Sequence, residues 1–389
     1  MIDYDYNFTE DQLAIRDLAR KIAREKIAPV AQKYDESGAF PWDIMNVLAE
    51  SGFFGVYIPE KYEGMGGGII ELCLITEELS KACGGISVSY AASALGTFPI
   101  LLYGTEEQKK KYLPQIASGK KIAAFGLTES NAGSDAGGIE TTAKLEGDHY
   151  VLNGKKQWIT NGGEAEIYSV VAMTDKKRGS RGASAFIMEK GMPGFTFGKK
   201  ENKMGIRASA TRELIFEDCK VPKENLLGRE GLGFVVAMKT FDSARPGVAA
   251  QAVGIAAGAL DLAIKYSTER KQFGKPICSF QGLQFMLADM ATQVEAARAI
   301  TYLAARAVDK QDPNLSSVAS MAKLFAGDTA MRVTTDAVQV YGGYGYMKEY
   351  PVEKMMRDAK ITQIYEGTNQ IQREVIALEL IKASARGNG

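Results

Sequence analysis

Residues 285–308 read FMLADMATQVEAARAITYLAARAV, and their pattern decides how the last part of the chain folds. Apolar side chains recur every three or four positions, at Met286, Met290, Val294, Ala297 and Ile300. On an α-helix this spacing collects them on one face, and such a face packs into the core of a helix bundle. The stretch is therefore predicted to be a long core helix.

The sequence around this helix changes character twice. Residues 1–120 show helical spacing, with Thr9 and Gln12 in the positions of a capping box. Residues 121–230 contain short β-like runs separated by turns, and residues 231–389 return to long helices rich in alanine and glycine, which allow close packing. This order predicts an α+β fold, mostly α: an N-terminal helical domain, a middle β domain of barrel-like or sandwich type, and a C-terminal helical bundle domain.

Within the middle region, residues 150–160 read YVLNGKKQWIT. The Asn153-Gly154 pair is a strong signal for a two-residue turn, so this stretch is predicted to be a β-hairpin. His149, the only histidine, lies just before it and is interpreted as a surface strand residue.

Composition excludes several classes of function. The chain has 389 residues, of which 47 are basic and 47 acidic, so its charge gives no argument for binding nucleic acid or an anionic membrane. No uninterrupted apolar run reaches the roughly 20 residues of a membrane span, and we expect no membrane insertion. The acidic start, MIDYDYNFTEDQ, does not resemble a targeting segment, so the protein is expected in the cytoplasm.

Cysteine and histidine usage limits the chemistry further. The four cysteines have no metal-type spacing, and we expect no metal site; they are interpreted as core residues of a reducing compartment. With one histidine, a Ser-His-Asp triad or a histidine-rich zinc site is hard to build. Acid–base work must therefore depend on carboxylates or on a cofactor.

Two polar stretches of the middle region are candidate binding segments. Residues 125–138, FGLTESNAGSDAGG, offer hydroxyls and accessible backbone amides, which suit a flavin, nucleotide or pyrophosphate, although an ordinary polar loop has the same composition. In residues 156–163, KQWITNGG, Trp158 and Thr160 fall on one face of a strand. Trp158 is either a core residue or a ring that packs against a planar cofactor.

Three stretches of the C-terminal region have similar alternatives. Residues 241–254, FDSARPGVAAQAVG, place Asp242 and Arg245 one helical turn apart, as an ion pair or as a site for a phosphorylated ligand. Residues 269–277, ERKQFGKPI, form either a solvated helix end or part of a binding site for a pyrophosphate. Residues 339–346, QVYGGYGY, end a helix or let a cofactor approach the backbone.

The last candidate is a glutamate just before a helix. Residues 363–381 read QIYEGTNQIQREVIALELI, in which the residues from Ile371 onward suit a buried helical face and Thr368 or Asn369 suits its cap. Glu366 is either an acid that favours the helix dipole or a base aimed into a pocket.

Taken together and in this order, the stretches FGLTESNAGSD, GKKQWITNGG, FDSARPGVAAQAVG, ERKQFGKPI, QVYGGYGY and IYEGTNQIQR closely resemble the acyl-CoA dehydrogenase family. The resemblance runs from FTEDQ to ALELI. It implies FAD as cofactor, a C-terminal four-helix bundle, a homotetramer, an acyl-CoA substrate and electron-transferring flavoprotein as the electron acceptor.

The resemblance also implies roles for individual residues. Those expected to contact FAD within one subunit are Phe125, Leu127, Thr128, Gly133, Ser134, Trp158, Ile159, Thr160, Thr368 and Gln370. Those expected to contact FAD of a neighbouring subunit are Arg270, Phe273, Gln281, Gln339, Val340, Gly342 and Gly343. Those expected to contact the substrate are Ser134, Asp242, Ser243, Ala244, Arg245, Tyr90, Tyr365 and Gly367.

Glu366 matches the catalytic base of the family. Forming an α,β double bond requires loss of a proton beside the thioester carbonyl and of a hydride from the next carbon, which flavin N5 accepts. In isovaleryl- and long-chain-type members the base lies at positions that correspond to Ala244 or Gly254, neither of which is acidic here. The resemblance therefore leaves Glu366 without a rival.

The acyl group is expected to be short, branched or alicyclic. Glutaryl-CoA dehydrogenases hold a distal carboxylate with an arginine and a serine, where this chain has Ile86 and Tyr90. A buried carboxylate needs a partner, so a dicarboxylic substrate is disfavoured. Two other functions are weighed: a related oxidase that reacts with dioxygen, and a noncatalytic CoA-binding or assembly protein.

Overall fold

The computed structural model describes residue 4 and residues 6–387, in three successive regions. The N-terminal region consists of α1 (Glu10–Ile22), α2 (Ala31–Ser37), α3 (Trp42–Glu50), α4 (Ile69–Ala82), α5 (Gly84–Tyr103) and α6 (Glu106–Ala117). The predicted capping box is confirmed, because the Thr9 side chain accepts from the Gln12 amide and the Gln12 side chain accepts from the Thr9 amide.

The middle region is a β domain, as predicted. Its strands are β1 (Ala123–Gly126), β2 (Thr142–Glu146), β3 (His149–Thr160), β4 (Ile167–Met173), β5 (Ala183–Glu189), β6 (Phe195–Phe197), β7 (Thr211–Pro222) and β8 (Leu226–Leu227). They form one sheet in the order β6-β7-β3-β2-β4-β5-β8, and β1 pairs with β4 in parallel. The loop that follows β1 contacts β3, because the Gln157 amide donates to the Thr128 carbonyl at 2.8 Å.

The predicted hairpin at Asn153-Gly154 is wrong. β3 continues through these residues, and the chain reverses earlier, between Glu146 and His149, which pair directly. Gly154 has a φ of 140° at a register shift opposite β7, and a Cβ there would lie 2.6 Å from Thr141 Oγ1. The glycine is needed for a β-bulge and for close approach of a neighbouring segment.

The C-terminal region contains α7 (Gly233–Glu269), the short strands β9 (Lys271–Gln272) and β10 (Lys275–Pro276), α8 (Gln281–Asp309), α9 (Leu315–Tyr341), α10 (Pro351–Lys360) and α11 (Asn369–Gly387). Helices α7, α8 and α9 pack against one another, and α11 packs against α9. The predicted apolar face of α8 is confirmed as core: Met290, Val294 and Ala297 are buried, with Met286 and Ile300 partly buried beside them.

The expectation that no segment is long and apolar enough to span a membrane needs a correction at two helices. Helices α5 and α7 are long and apolar enough to cross a membrane by length and composition alone. However, 78% of the apolar window of α5 and 83% of that of α7 are buried inside the chain. Both are core helices of this fold.

Glycine in α7 allows α4 and α7 to touch through their backbones. A Cβ on Gly254 would lie 2.3 Å from the carbonyl oxygen of Glu77 on α4. We expect Gly254→Ala to lower the free energy of unfolding by about 1–3 kcal/mol, because the helices must separate. Thermal unfolding measures this. Gly282→Ala in α8 is the control, since no atom lies within 4 Å of its added Cβ, and it should be neutral or slightly stabilising. Equal melting temperatures for both variants would contradict the packing argument.

Candidate active site

The three regions enclose a cavity of about 440 Å³. Helix α5, strands β1 and β3, helix α7 and the segment before α11 all contribute to its wall. The predicted residues that line it are Phe125, Leu127, Thr128, Gly133, Ser134, Trp158, Ile159, Thr160, Ala244, Arg245, Tyr365, Glu366 and Gly367. Stretches far apart in sequence thus meet at one site.

Trp158 is not a core residue. Its side chain lies on the cavity wall and the residue is 59% exposed. Its φ of 58° falls in the left-handed region, where a bulky residue is strained, at a register shift between Lys156 and Ile159. The local distortion of β3 leaves an aromatic ring facing the cavity, which suits contact with a planar ligand.

The loop after β1 is fixed to β3 by a buried ion pair that the sequence did not suggest. Lys156 Nζ lies 2.6 Å from Glu129 Oε1 and donates to the Leu127 carbonyl at 3.0 Å. Glu129 also accepts from the amides of Glu140 and Thr141. Burial lowers the pKa of Lys156 to about 8 despite the carboxylate beside it. This pair fixes the residues on either side of Thr128, which lines the same cavity as Trp158.

Glu366 is a carboxylate held in a strained turn. Its φ is 51°, and it is followed by Gly367 with a φ of 94°. Its Oε2 atom is buried and has no hydrogen-bond partner among the residues that the structure describes. Burial raises the pKa of Glu366 to about 7, while the charges of Arg245 and Lys323 oppose the rise. The carboxyl group can therefore take or lose a proton near neutral pH.

Arg245 and Asp242 form the intrahelical ion pair that is one of the two alternatives for this stretch. Arg245 Nη1 lies 3.1 Å from Asp242 Oδ1 and 3.2 Å from Ser320 Oγ. Arg245 lines the cavity, whereas Asp242 and Ser243 do not. The Nε atom of Arg245 is buried without a partner in the described part of the chain, so the guanidinium retains a free donor beside the cavity.

A second cavity, of about 450 Å³, shares no residue with the first. Four predicted residues line it: Arg270, Val340, Gly342 and Gly343. Phe273 lies in the turn between β9 and β10 and is 92% exposed, and Gln281 and Gln339 line neither cavity. Their predicted contact with FAD of a neighbouring subunit stays a prediction.

Tyr90 requires a correction. It is expected from the sequence to line the substrate pocket, but its side chain is fully buried against Phe54 and its hydroxyl donates to the Phe53 carbonyl at 3.0 Å. Because successive residues of a helix face different directions, the α5 residues on the cavity wall are Val88, Ala91, Ala92, Leu95 and Phe98. This wall is apolar, and Tyr90 is not part of it.

The segment after Glu366 caps α11. Thr368 Oγ1 accepts from the Ile371 amide at 3.2 Å, so the predicted cap is confirmed at Thr368. Thr368 and Gln370 do not line the main cavity, and Gln370 is exposed. Their predicted contact with FAD stays a prediction.

Two buried polar residues of the site were missed. Lys323 on α9 lies beside the Glu366 turn, and Gln251 on α7 lines the cavity. The sequence carried a signal for Lys323: it lies three or four positions from Ala319 and Ala326, on the buried face of its helix. A lysine on such a face needs partners, and that need predicts a polar site.

The fold and this cavity define an α+β protein of three regions, in which a buried carboxylate lies in the same cavity as an aromatic ring suited to a planar ligand. The N-terminal, middle and C-terminal domains of acyl-CoA dehydrogenases match residues 9–120, 124–219 and 231–381. The chain is 50% identical to a short-chain-specific acyl-CoA dehydrogenase of Clostridium acetobutylicum, over 97% of this chain and 100% of that protein. It belongs to the acyl-CoA dehydrogenase family, as its sequence motifs predicted.

Solved structures agree with this assignment. The butyryl-CoA dehydrogenase of Megasphaera elsdenii is 50% identical with a TM-score of 0.95, over 97% of this chain and 100% of that one. A chain from the structure of the electron transferring flavoprotein of Acidaminococcus fermentans is 55% identical with a TM-score of 0.95, over 97% of this chain and 99% of that one.

The cofactor is FAD, and the cavity fits it. The exposed ring of Trp158 offers a flat apolar surface, and the loop after β1 offers the hydroxyls of Thr128 and Ser134. No atom lies within 4 Å of the point where a Cβ would stand on Gly133, so a ligand can approach the backbone there.

The Lys156–Glu129 pair gives a prediction for this wall. We expect Lys156→Met to lower the free energy of unfolding by roughly 3–5 kcal/mol and to reduce FAD content, because it leaves a buried carboxylate unpaired. Thermal unfolding and the flavin absorbance per chain measure the two effects. Lys155→Met is the control, since Lys155 is exposed on the same strand. Full FAD content and an unchanged melting temperature in Lys156→Met would contradict the role of the pair.

Proposed function

We propose that this enzyme oxidises an acyl-CoA thioester to the 2-enoyl-CoA, with Glu366 as the base that removes the α-proton. The observation that carries the proposal is the buried, unpaired Oε2 atom of Glu366 on the wall of the cavity. A carboxylate that accepts no hydrogen bond keeps its basicity for a substrate proton.

The protonation of Glu366 suits this task. A general base works best when its pKa lies close to the operating pH, and burial raises the pKa of Glu366 to about 7. Because only the ionised form can accept a proton, the rate should fall as the pH drops below about 7.

The other wall residues hold the two ligands. Thr128, Ser134, Trp158, Ile159 and Thr160 would hold the flavin, and Arg245 would meet the CoA portion of the substrate. When bound, FAD supplies the hydride acceptor that the side chains lack. The backbone amide of Glu366 is proposed to donate to the thioester oxygen as negative charge develops there.

The acyl group is proposed to be short, branched or alicyclic. The relatives described above act, by their names, on short-chain acyl-CoA and butyryl-CoA, and the α5 wall of this cavity is apolar. Gln251 limits the space: it is 1% exposed, it donates to the Gly84 carbonyl at 3.0 Å, and it accepts from the Tyr365 hydroxyl. Because both the nitrogen and the oxygen of the Gln251 amide are hydrogen-bonded, this side chain does not move aside for a longer acyl chain.

Electron-transferring flavoprotein is proposed as the electron acceptor. The support is the likeness to a chain in the Acidaminococcus fermentans structure named for that protein. Fast reduction of electron-transferring flavoprotein with slow consumption of dioxygen is the expected result, and rapid peroxide formation would instead indicate an oxidase. A homotetramer remains a prediction.

The base assignment is tested by Glu366→Gln. This change keeps the size of the side chain and removes its basicity, so turnover of butyryl-CoA should fall roughly 10²–10⁴-fold while FAD content and melting temperature stay unchanged. The measurement is anaerobic bleaching of the flavin on addition of substrate. The control is Glu374→Gln, at an exposed position of α11. Substantial bleaching by Glu366→Gln at the wild-type rate would refute the assignment.

The pocket assignment is tested by Gln251→Ala. Removal of this side chain enlarges the cavity, so the ratio of kcat/KM for hexanoyl-CoA to that for butyryl-CoA should rise about tenfold, the value of one or two buried methylenes. Both kcat/KM values are measured on the same preparation, so their ratio does not change if part of the variant enzyme is unfolded or inactive. A ratio equal to that of the wild type would show that Gln251 does not limit chain length.

A further inference from the structure

Lys323 is a fully buried cation next to the proposed base. It lies on α9 at 0% exposure. Its ammonium donates to the Gly367 carbonyl at 2.6 Å and to Asn369 Oδ1 at 3.0 Å. Both partners belong to the segment that follows Glu366 directly. The lysine therefore ties α9 to the turn that carries the carboxylate.

The turn needs such a tie, because two successive residues have positive φ. Glu366 has a φ of 51°, which costs free energy for a residue with a Cβ. Its carbonyl accepts from Gln372 Nε2 at 3.2 Å, and that amide also donates to the Gly367 carbonyl at 3.1 Å. The Lys323 bond to the same carbonyl is the shortest of the three and the only charged one.

Stability alone does not account for a lysine here. Burial lowers the pKa of Lys323 to about 7, with the Glu366 charge opposing the fall, so the charged form is disfavoured by its surroundings. A well-packed apolar side chain in such a place is often at least as stable as a buried ion. A cation that is costly to bury and is bound to the active-site turn points to a role in the site.

We propose that Lys323 is a positioning residue for the reaction: by holding the Gly367 carbonyl and Asn369, its ammonium fixes the strained turn that aims the Glu366 carboxylate into the cavity. This inference rests on the proposed function of Glu366. The bond from Lys323 to Asn369 also anchors the start of α11. Asn369 Nδ2 in turn donates to Asp328 Oδ1 on α9 at 2.8 Å.

Few charges surround Glu366 from the elements packed against it. Helix α7 contributes Arg245, paired with Asp242, and α9 contributes Lys323 and, farther away, Asp328. In the described part of the chain, removal of the Lys323 cation leaves Arg245 as the positive charge that acts on the carboxylate. The carboxyl group then holds its proton to a higher pH, so the acid limb of the rate profile moves upward.

The experiment compares Lys323→Met, Lys323→Arg and Lys354→Met, each loaded with FAD. Lys354 is the matched control, since it is also buried but pairs with Asp358 and Cys83 away from the cavity. We expect Lys323→Met to lower kcat at least tenfold with little change in KM and to move the acid limb of kcat/KM upward by roughly one pH unit. Lys323→Arg should restore the position of the limb. Lys354→Met should change stability without moving it.

A second readout does not depend on turnover. Infrared difference spectra between each Lys323 variant and the same variant with Glu366→Gln follow the carboxyl band of Glu366 through a pH titration. The midpoint should be higher in Lys323→Met than in the wild type. An unmoved midpoint, or an equal movement in Lys354→Met, would overturn the proposal. If the midpoint moves but Glu366→Gln retains turnover, the proposed function fails while the link between Lys323 and Glu366 stands.

Discussion

The structure depends on keeping one carboxylate buried with an oxygen left unpaired. Buried carboxylates in proteins are normally hydrogen-bonded or paired with a cation. An unsatisfied buried acceptor lowers the stability of the fold by about 1–3 kcal/mol, and a charged one by more. Here a turn with two positive φ angles, at Glu366 and Gly367, carries the carboxylate. The positive charges of Arg245 and Lys323 favour its ionised form. The cations offset part of the cost without bonding to Oε2, which stays available on the cavity wall.

The opposite wall is built on the same principle with a different result. Lys156 and Glu129 are also buried charges, but they bond to each other and to backbone groups. They therefore fix a loop and leave no reactive group. The fully bonded Lys156–Glu129 pair makes its wall rigid. The Glu366 carboxylate can act as a base, because it alone of the two retains an acceptor for a substrate proton. The exposed ring of Trp158 lies beside the complete pair, where a fixed platform is useful.

The sequence predicted those parts of the molecule that follow from periodicity or from clustered motifs. The α8 face, the change from helices to strands and back, and the meeting of four of the six motif stretches in one cavity belong to this class. The hairpin at Asn153-Gly154 failed because a glycine permits a turn and a bulge alike, and the approach of Thr141 decides between them. The prediction for Tyr90 failed because apolar neighbours in sequence do not fix which side of α5 a residue faces. Lys323 was overlooked because a single charge does not disturb a helical pattern.

The two walls belong to different domains, so the site also depends on how the helices meet the sheet. Asp358 on α10 accepts from the Ile206 amide of the middle region at 2.5 Å. Asn161 at the end of β3 donates to the Ser89 carbonyl of α5 at 2.9 Å. These buried bonds join all three regions around the cavity. Since a carboxylate on the bundle must face a platform on the sheet, the distance between base and cofactor is set by these junctions as much as by the residues of the site itself.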